Sequence, residues 1–203
     1  MEEKTNTLFK IFMNMAISIL HHLPGQPIKV YFYYALRASA IDFSLSKKDM
    51  TVVIREGSKD DIDALVSCTD KRGRFLDRFT MGDHCLIAMD MDVVVGYLWF
   101  SDRDVFREEQ SKYTFRIQND TVYSYDVYVR PQYRQHGVLS QFFAVIYDWM
   151  KQYSKNTITI LIDFNNDISI KAHVKKGFVP FKKILCISIY GKSLFIEQKI
   201  PES

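Results

Sequence analysis

From residue 51 onwards, short apolar runs alternate with segments in which apolar residues recur at helical spacing. Runs rich in β-branched and aromatic residues predict strands at 51–55, 84–88, 93–100, 123–129, 157–162, 181–188 and 193–199. Helical spacing predicts helices at 58–66, 139–153 and 169–176, whereas the alternating charges of 70–83 indicate a solvated face and leave a further helix there open. This order predicts an α+β fold: a mixed, mostly antiparallel central sheet of about seven strands flanked by helices.

The first 50 residues have a different pattern, rich in aromatics, Met and Leu and poor in acids. Proline and glycine at 24–27 divide this part into two predicted helices, 8–23 and 28–40. Aromatic residues at all four positions of 31–34 make the second helix apolar nearly all round, so another surface must cover it. The main domain, a second copy of the chain in a homodimer, or a membrane contacted peripherally through 8–40 could provide it. We therefore predict an N-terminal helical extension over 1–50 and a second domain over 51–203.

Composition excludes several classes of protein. The net charge of +3 without a long basic block argues against nucleic acid as a partner. Three cysteines far apart in the sequence predict neither a disulfide framework nor a metal site, and favour a cytoplasmic location. The apolar run 8–23 is shorter than the roughly 20 residues that span a bilayer, so we predict no transmembrane helix and leave a membrane-peripheral location open.

A predicted strand leads through a proline turn and a glycine directly into a helix at 123–140. The backbone N–H groups at a helix N-terminus and the helix dipole favour an anion such as phosphate. Gly137 has no Cβ, so a phosphate could approach the backbone closely, and Arg134 adds positive charge. Taken alone, the same pattern also fits an ordinary strand-to-helix turn that needs a glycine.

A second segment, 166–178, follows the predicted strand 157–162 and contains a helix ended by glycine. Together the two segments resemble the GNAT superfamily of acyl-CoA-dependent N-acetyltransferases. That family has a strand ending in Val, a P-x-Y-R-x-x-G-x-G/A loop, and a downstream N-x-x-[SA]-[IL]-x-x-[YH]-x-[KR]-x-G-F motif. The matching residues are Val129, Pro131, Tyr133, Arg134, Gly137, Asn166, Ser169, Ile170, His173, Lys175, Gly177 and Phe178. Leu139 replaces the second small residue of the loop, and could either point into the core or hinder the pyrophosphate.

This resemblance covers residues 51–200 and implies a GNAT-like fold with acetyl-CoA, or another acyl-CoA, as co-substrate and no metal. It implies that Val127 and Val129 bind the pantetheine arm through backbone groups, and that the Val127 N–H polarises the thioester carbonyl. Asn166, with Ser169 beside it, is expected to bind the pantetheine amide. The residues expected to hold the CoA pyrophosphate are Arg134, Gln135, His136, Gly137, Val138, Leu139 and Ser140.

Two residues are candidates for proton transfer in this resemblance. Asp126 would be the general base that deprotonates a small-molecule primary amine, and His173 the general acid near the departing thiolate. The alternatives are that Asp126 anchors a neighbouring strand and that His173 is a solvent-facing helix residue. The expected activity is direct acyl transfer in a ternary complex, and the alternative function is a non-catalytic acyl-CoA sensor or scaffold.

Strand alternation determines which residues of 123–128 face the acyl group. Strict alternation places the odd-numbered residues, including Tyr125 and Val127, on one face and the even-numbered ones, including Asp126, on the other. A β-bulge in this strand would change that assignment.

Overall fold

The structure, a computed structural model, describes residues 27–39 and 52–201. The predicted helix 8–23 and the predicted domain boundary near residue 50 lie outside the described residues. Two units are distinguished within them. The first unit consists of residues 27–37, 107–115 and 161–201, and the second unit of residues 38–39, 52–106 and 116–160.

Ten strands and four α-helices occur in the described part of the chain. The strands are β1 (Ile28–Ser39), β2 (Val52–Glu56), β3 (His84–Asp90), β4 (Val93–Ser101), β5 (Val105–Arg107), β6 (Thr114–Arg116), β7 (Thr121–Val129), β8 (Thr157–Asp163), β9 (Val179–Ile189) and β10 (Lys192–Lys199). The helices are α1 (Ile62–Val66), α2 (Arg72–Thr80), α3 (Val138–Gln152) and α4 (Asp167–Val174). None of these helices is long and apolar enough to cross a membrane.

The sheet of the second unit has the strand order β8-β7-β4-β3-β2. The pairs β2–β3, β3–β4 and β4–β7 are antiparallel, and the amino-terminal half of β8 pairs with β7 in parallel. The predicted mixed, mostly antiparallel sheet with flanking helices is thus confirmed. Its strands agree with the sequence pattern because each apolar run is bounded by turn residues.

Helices α1 and α2 cover one apolar face of this sheet. A capping box precedes α1, in which the Ser58 hydroxyl accepts from the Asp60 N–H and the Asp61 carboxylate accepts from the Ser58 N–H. In α2, Phe75 is fully buried, with its ring centroid 5.3 Å from that of Tyr97. The charged stretch 70–83 is therefore not only a solvated face, because this helix also buries an apolar side.

The strand β7 contains a β-bulge. Its register with β4 pairs Trp99 with Tyr125 but Tyr97 with Tyr128, so β7 uses one residue more than its partner. Asp126 lies at this point with a φ of +42°, a left-handed conformation that is uncommon outside glycine. Tyr125 and Tyr128 consequently pack against the same core, together with Tyr97 and Trp99. Strict alternation of side chains between the two faces of the strand therefore does not hold beyond Tyr125.

Gly96 permits the close approach of β4 to β7 beside this bulge. An added Cβ would lie 2.7 Å from the backbone oxygen of Tyr128, which cannot move without separating the strands. We expect Gly96→Ala to lower the free energy of unfolding by about 1–3 kcal/mol, as overpacking does. Urea denaturation measures this. Gly73→Ala is the control, because a Cβ at that helical site meets nothing within 4 Å, and unchanged stability of Gly96→Ala would contradict the prediction.

The first unit contains a three-stranded antiparallel arrangement in the order β10-β9-β1. The prediction of a helix over 28–40 is wrong, because these residues form β1, which pairs with β9 from Ile28 to Arg37. A strand divides consecutive aromatics between its two faces, so Tyr31 and Tyr33 stack on each other within one core cluster. Pairing with a strand about 150 residues later is a tertiary contact, which local periodicity cannot reveal.

The β9–β10 hairpin agrees with its predicted turn. Tyr190 and Gly191 both have positive φ values, +47° and +80°, as the two central residues of a type I′ turn require. On β10, Glu197 binds Lys182 of β9 at 2.7 Å and accepts a hydrogen bond from the hydroxyl of Tyr113. These contacts hold the end of the hairpin within the first unit.

Candidate active site

The chain turns from β7 into α3 through a short loop whose geometry depends on Gly137. This residue is the N-cap of α3 and has a φ of +86°, which costs a side chain strain but costs glycine little. Glycine also offers no side chain to the first-turn N–H groups, and a Cβ at this position would meet no atom within 4 Å. The backbone at the start of this fifteen-residue helix is thus open to an anion.

Side-chain hydrogen bonds from the loop fix its position. The Tyr133 hydroxyl donates to Asp90 at 2.6 Å, which raises the pKa of Tyr133. Arg134 Nε donates to the Val129 oxygen at 3.0 Å, and Arg130 Nε donates to the Val94 oxygen at 2.9 Å. The loop is therefore organised by the protein itself, so a ligand would not have to order it.

The remaining residues assigned to the pyrophosphate lie on both sides of Gly137. Gln135 has a φ of +66°, and the His136 side chain contacts the Arg134 oxygen at 2.7 Å. Val138 is buried in the first turn of α3, whereas Leu139 and Ser140 are half-buried. Leu139 therefore lies partly outside the core, and its effect on a pyrophosphate stays open.

The backbone of Val129 is directed away from β4. Arg130 donates its N–H to the Val95 oxygen, and Tyr128 is paired with Tyr97, so Arg130 and Tyr128 direct their backbone groups toward β4. Alternate residues of an antiparallel ladder point to opposite edges, which directs the N–H of Val129 to the other edge, whereas Val127 lies within the bulge. On that edge β7 pairs with β8 only from Thr121 to Ser124. The end of β7 after the bulge is thus where a second edge partner could bind.

Asp126 forms ion pairs with two residues of the α2 region. Its Oδ1 lies 2.8 Å from Lys71 Nζ and its Oδ2 lies 2.5 Å from an Arg78 guanidinium nitrogen. Burial opposes ionisation of this carboxyl, but the charges and hydrogen bonds of Arg78 and Lys71 outweigh it and lower the pKa of Asp126. The carboxylate is therefore charged at neutral pH and a weaker base than an ordinary Asp.

Arg78 and Lys71 are residues that the sequence reasoning missed. Arg78 is 2% exposed, and its guanidinium lies over the rings of Trp99 and Tyr125 at 5.2 and 5.0 Å. Their spacing in the sequence could have revealed them, because basic residues two helical turns apart lie on the same face of a helix and can bind one carboxylate.

Asn166 and Ser169 belong to the first unit, at the start of α4. The Asn166 side-chain oxygen accepts from the Ser169 N–H at 3.1 Å and so caps the helix. This bond occupies one lone-pair direction of the carboxamide oxygen, while the side chain as a whole is exposed. Binding of a pantetheine amide by Asn166 stays a prediction.

His173, also in the first unit, is 4% exposed and packs edge-on against Phe178 with ring centroids 5.3 Å apart. The alternative of a solvent-facing residue is therefore wrong. Its Nδ1 lies 2.7 Å from the Ser169 carbonyl oxygen, which requires a proton on Nδ1. Burial lowers the pKa of His173, the hydrogen bond to Ser169 opposes this, and Lys176 lowers it further. The ring is consequently neutral at neutral pH.

Because His173 is neutral in the folded protein, we expect the protein to lose stability in mild acid. Below the ordinary histidine pKa of 6.5 the unfolded chain takes up a proton that the folded protein resists, so stability falls with decreasing pH. We expect the free energy of unfolding to fall less steeply from pH 7 to about pH 5 in His173→Gln than in the unaltered protein. Urea denaturation at both pH values measures the difference. His136→Gln, at an exposed position, is the control, and equal slopes in all three proteins would contradict the prediction.

No group of three or more His, Cys, Asp or Glu side chains is arranged to hold a metal ion within residues 27–39 and 52–201. The second unit has a helix N-terminus with an open first-turn backbone directly after a bulged strand. Together with the mixed sheet, this is the arrangement that the resemblance to the acetyltransferase class predicts.

Comparison with known protein families makes this class specific. Residues 55–178, more than half of the chain, match the family described as the acetyltransferase (GNAT) family. The chain therefore belongs to the GNAT acetyltransferase family, and the predicted resemblance is confirmed. A search of curated proteins finds no significant match.

Solved structures share this fold at low sequence identity. A functionally unknown protein from Staphylococcus epidermidis aligns with a TM-score of 0.57 and 13% identity over 85% of this chain and 67% of its own. A tandem GNAT protein from the clavulanic acid biosynthesis pathway aligns at 0.56 and 10% over 86% of this chain and 55% of its own. AAC(6')-Iy, in complex with a bisubstrate analog, aligns at 0.52 and 20% over 64% of this chain and 92% of its own. These similarities establish the fold.

Proposed function

We propose that this protein is a CoA-dependent N-acyltransferase that transfers an acetyl or other acyl group to a primary amine of a small molecule. The observation that carries the proposal is the N-terminus of α3, where Gly137 leaves the first-turn backbone open directly after β7. A diphosphate bound there would place the chain attached to it beside the end of β7, where the Val129 N–H points away from β4. Membership of the acetyltransferase family supports acyl-CoA as the co-substrate that carries this diphosphate.

The Val127 N–H is proposed to donate a hydrogen bond to the thioester carbonyl oxygen. Negative charge develops on this oxygen when the amine attacks, so a fixed donor stabilises the transition state more than the ground state. The bulge at Asp126 immediately precedes Val127, so it is proposed to set the direction of this N–H before the substrate binds.

Direct attack by the amine is favoured over a covalent acyl-enzyme. The chain has three cysteines, and burial raises the pKa of the thiols of Cys68, Cys85 and Cys186, the last to about 11. A thiol in that state is a poor nucleophile at neutral pH, because the thiolate is the reactive form. The amine is therefore proposed to react in a ternary complex.

The acceptor is proposed to be a small molecule with a primary amine. The complex of AAC(6')-Iy with the bisubstrate analog CoA-S-monomethyl-acetylneamine supports this class. Residues 70–83 and 101–121 are proposed to form the acceptor side of the site. Asp126 and His173 remain the candidates for proton transfer, and Asp126 as an anion would also attract the ammonium form of the amine.

Turnover of acetyl-CoA in the presence of a panel of small primary amines tests this function. We expect release of free CoA thiol that depends on the amine, and formation of the acetylated amine by mass spectrometry. Release of thiol without an acetylated product, or no release above that of an Asp126→Ala, His173→Ala control, would contradict the enzymatic proposal.

A non-catalytic acyl-CoA sensor is the second candidate. The observation that favours it is that Asp126 is ion-paired and His173 is buried and neutral, so neither is poised as a strong base or acid. Isothermal titration with CoA and acetyl-CoA distinguishes the candidates. Binding without turnover of any amine supports a sensor, whereas turnover excludes it.

A further inference from the structure

Two consecutive residues of β7 direct their side chains to the same side of the strand. The Tyr125 hydroxyl donates to Asp83 at 2.6 Å, and the next residue, Asp126, binds Lys71 and Arg78. In a regular strand such neighbours would point to opposite faces. Only the bulge, with Asp126 at a φ of +42°, allows both side chains to reach α2 and the segment that follows it.

The left-handed backbone at Asp126 must be held by other contacts. A non-glycine residue in this conformation costs roughly 1–2 kcal/mol, so it persists only where the surroundings fix it. Here the fixing contacts come from both oxygens of the carboxylate, each bound to a different cation. Arg78 is held in turn by its stacking on Trp99 and Tyr125, so the support extends into the core of the second unit.

We infer that Lys71 and Arg78 are positioning residues for acyl transfer, which hold the β7 bulge through Asp126 and so direct the Val127 N–H toward the acyl carbonyl. This inference rests on the proposed function. It gives Asp126 a task that differs from proton transfer: the carboxylate stays ionised and links α2 to the backbone donor.

The two roles of Asp126 make different demands on its protonation. A general base must accept a proton near the working pH, whereas two neighbouring cations stabilise the anion and lower the pKa of Asp126. A positioning carboxylate, by contrast, acts best when it is always ionised. The geometry of the ion pairs therefore agrees with positioning.

Three variants and a control test the inference in the full chain. Lys71→Met removes one ion pair and Asp126→Asn removes both, whereas Arg78→Lys keeps a positive charge at this buried position. Lys151→Met is the control, because this lysine is exposed in the last turn of α3 and pairs with Asp148. The readouts are kcat and KM for acetyl-CoA against pH, and the amide chemical shift of Val127 by NMR.

We expect Lys71→Met and Asp126→Asn to shift the Val127 amide resonance and to lower kcat by about 10- to 100-fold, up to the effect of losing one oxyanion donor. KM for acetyl-CoA and the shape of the pH profile should stay unchanged, and Lys151→Met should resemble the unaltered protein. An unshifted Val127 amide in both variants would overturn the inference. So would full kcat in Lys71→Met with loss of the acidic limb of the pH profile in Asp126→Asn, because that result identifies a base.

The amide shift separates this inference from the proposed function. If the unaltered protein turns over no amine, the proposed function fails. The Val127 resonance still reports whether Lys71 and Asp126 hold the bulge.

Discussion

Replacing Gly137 by alanine is expected to weaken CoA binding by about 5- to 30-fold. At a φ of +86° a Cβ costs roughly 1–2 kcal/mol of strain, which the loop relieves by leaving this conformation. The ligand must then restore the conformation at the expense of its own binding energy. A cost of 1–2 kcal/mol corresponds to binding that is about 5- to 30-fold weaker. Isothermal titration with CoA measures the effect.

Gly82→Ala is the matched control for this prediction. Gly82 has a φ of +83° in the turn between α2 and β3, and a Cβ there also meets no atom within 4 Å. Both variants should lose a similar amount of stability, but only Gly137→Ala should lose CoA affinity. Equal affinity of the two variants would show that the N-terminus of α3 does not bind CoA.

Replacing Phe75 by alanine is expected to lower the free energy of unfolding by about 3–5 kcal/mol. The ring is fully buried and stacks 5.8 Å from Trp99, so its removal leaves a cavity in the core of the second unit. Because the total stability of a domain is about 5–15 kcal/mol, this variant should be close to unfolding at room temperature. Urea denaturation followed by tryptophan fluorescence measures the loss.

Leu76→Ala provides the comparison on the same helix. Leu76 follows Phe75 directly but is 40% exposed, so its truncation removes less buried surface. We expect a loss of less than about 1 kcal/mol. A similar loss of unfolding free energy in both variants would contradict the prediction, because it would mean that α2 stabilises the protein through helix propensity rather than through a buried face.

The sequence predicted the turn from β7 into α3 because its signals are local. A proline turn, a glycine and an apolar stripe at helical spacing place the start of α3 within one residue of its predicted position. The capping box at Ser58 and the hairpin of β3 and β4 are likewise specified by neighbouring residues. These features depend on backbone conformations and side chains a few positions apart, so they can be read along the chain.

The sequence motifs that contain Asp126 and His173 do not reveal the residues that surround these two side chains in the folded protein. Asp126 was recognised by its place in a pattern, but Lys71 and Arg78 lie about 50 residues earlier and bind it only in the folded protein. Lysines surround His173 in the sequence and are compatible with a solvent-facing position, yet its ring is buried against Phe178. The ionisation of both groups depends on burial and charged neighbours, which the tertiary structure determines.

The sequence by itself determined the fold class, the family and the loop that begins at Arg134, because period, turn residues and glycine positions act locally. Only the tertiary structure decided that 28–39 is a strand and that β7 is bulged at Asp126. Aromatic residues in a row fit a buried helix or a strand equally well, and pairing with β9 selects the strand. At the bulge, cations from elsewhere in the second unit bind the carboxylate of Asp126, and this contact between distant parts of the chain forms only in the folded protein.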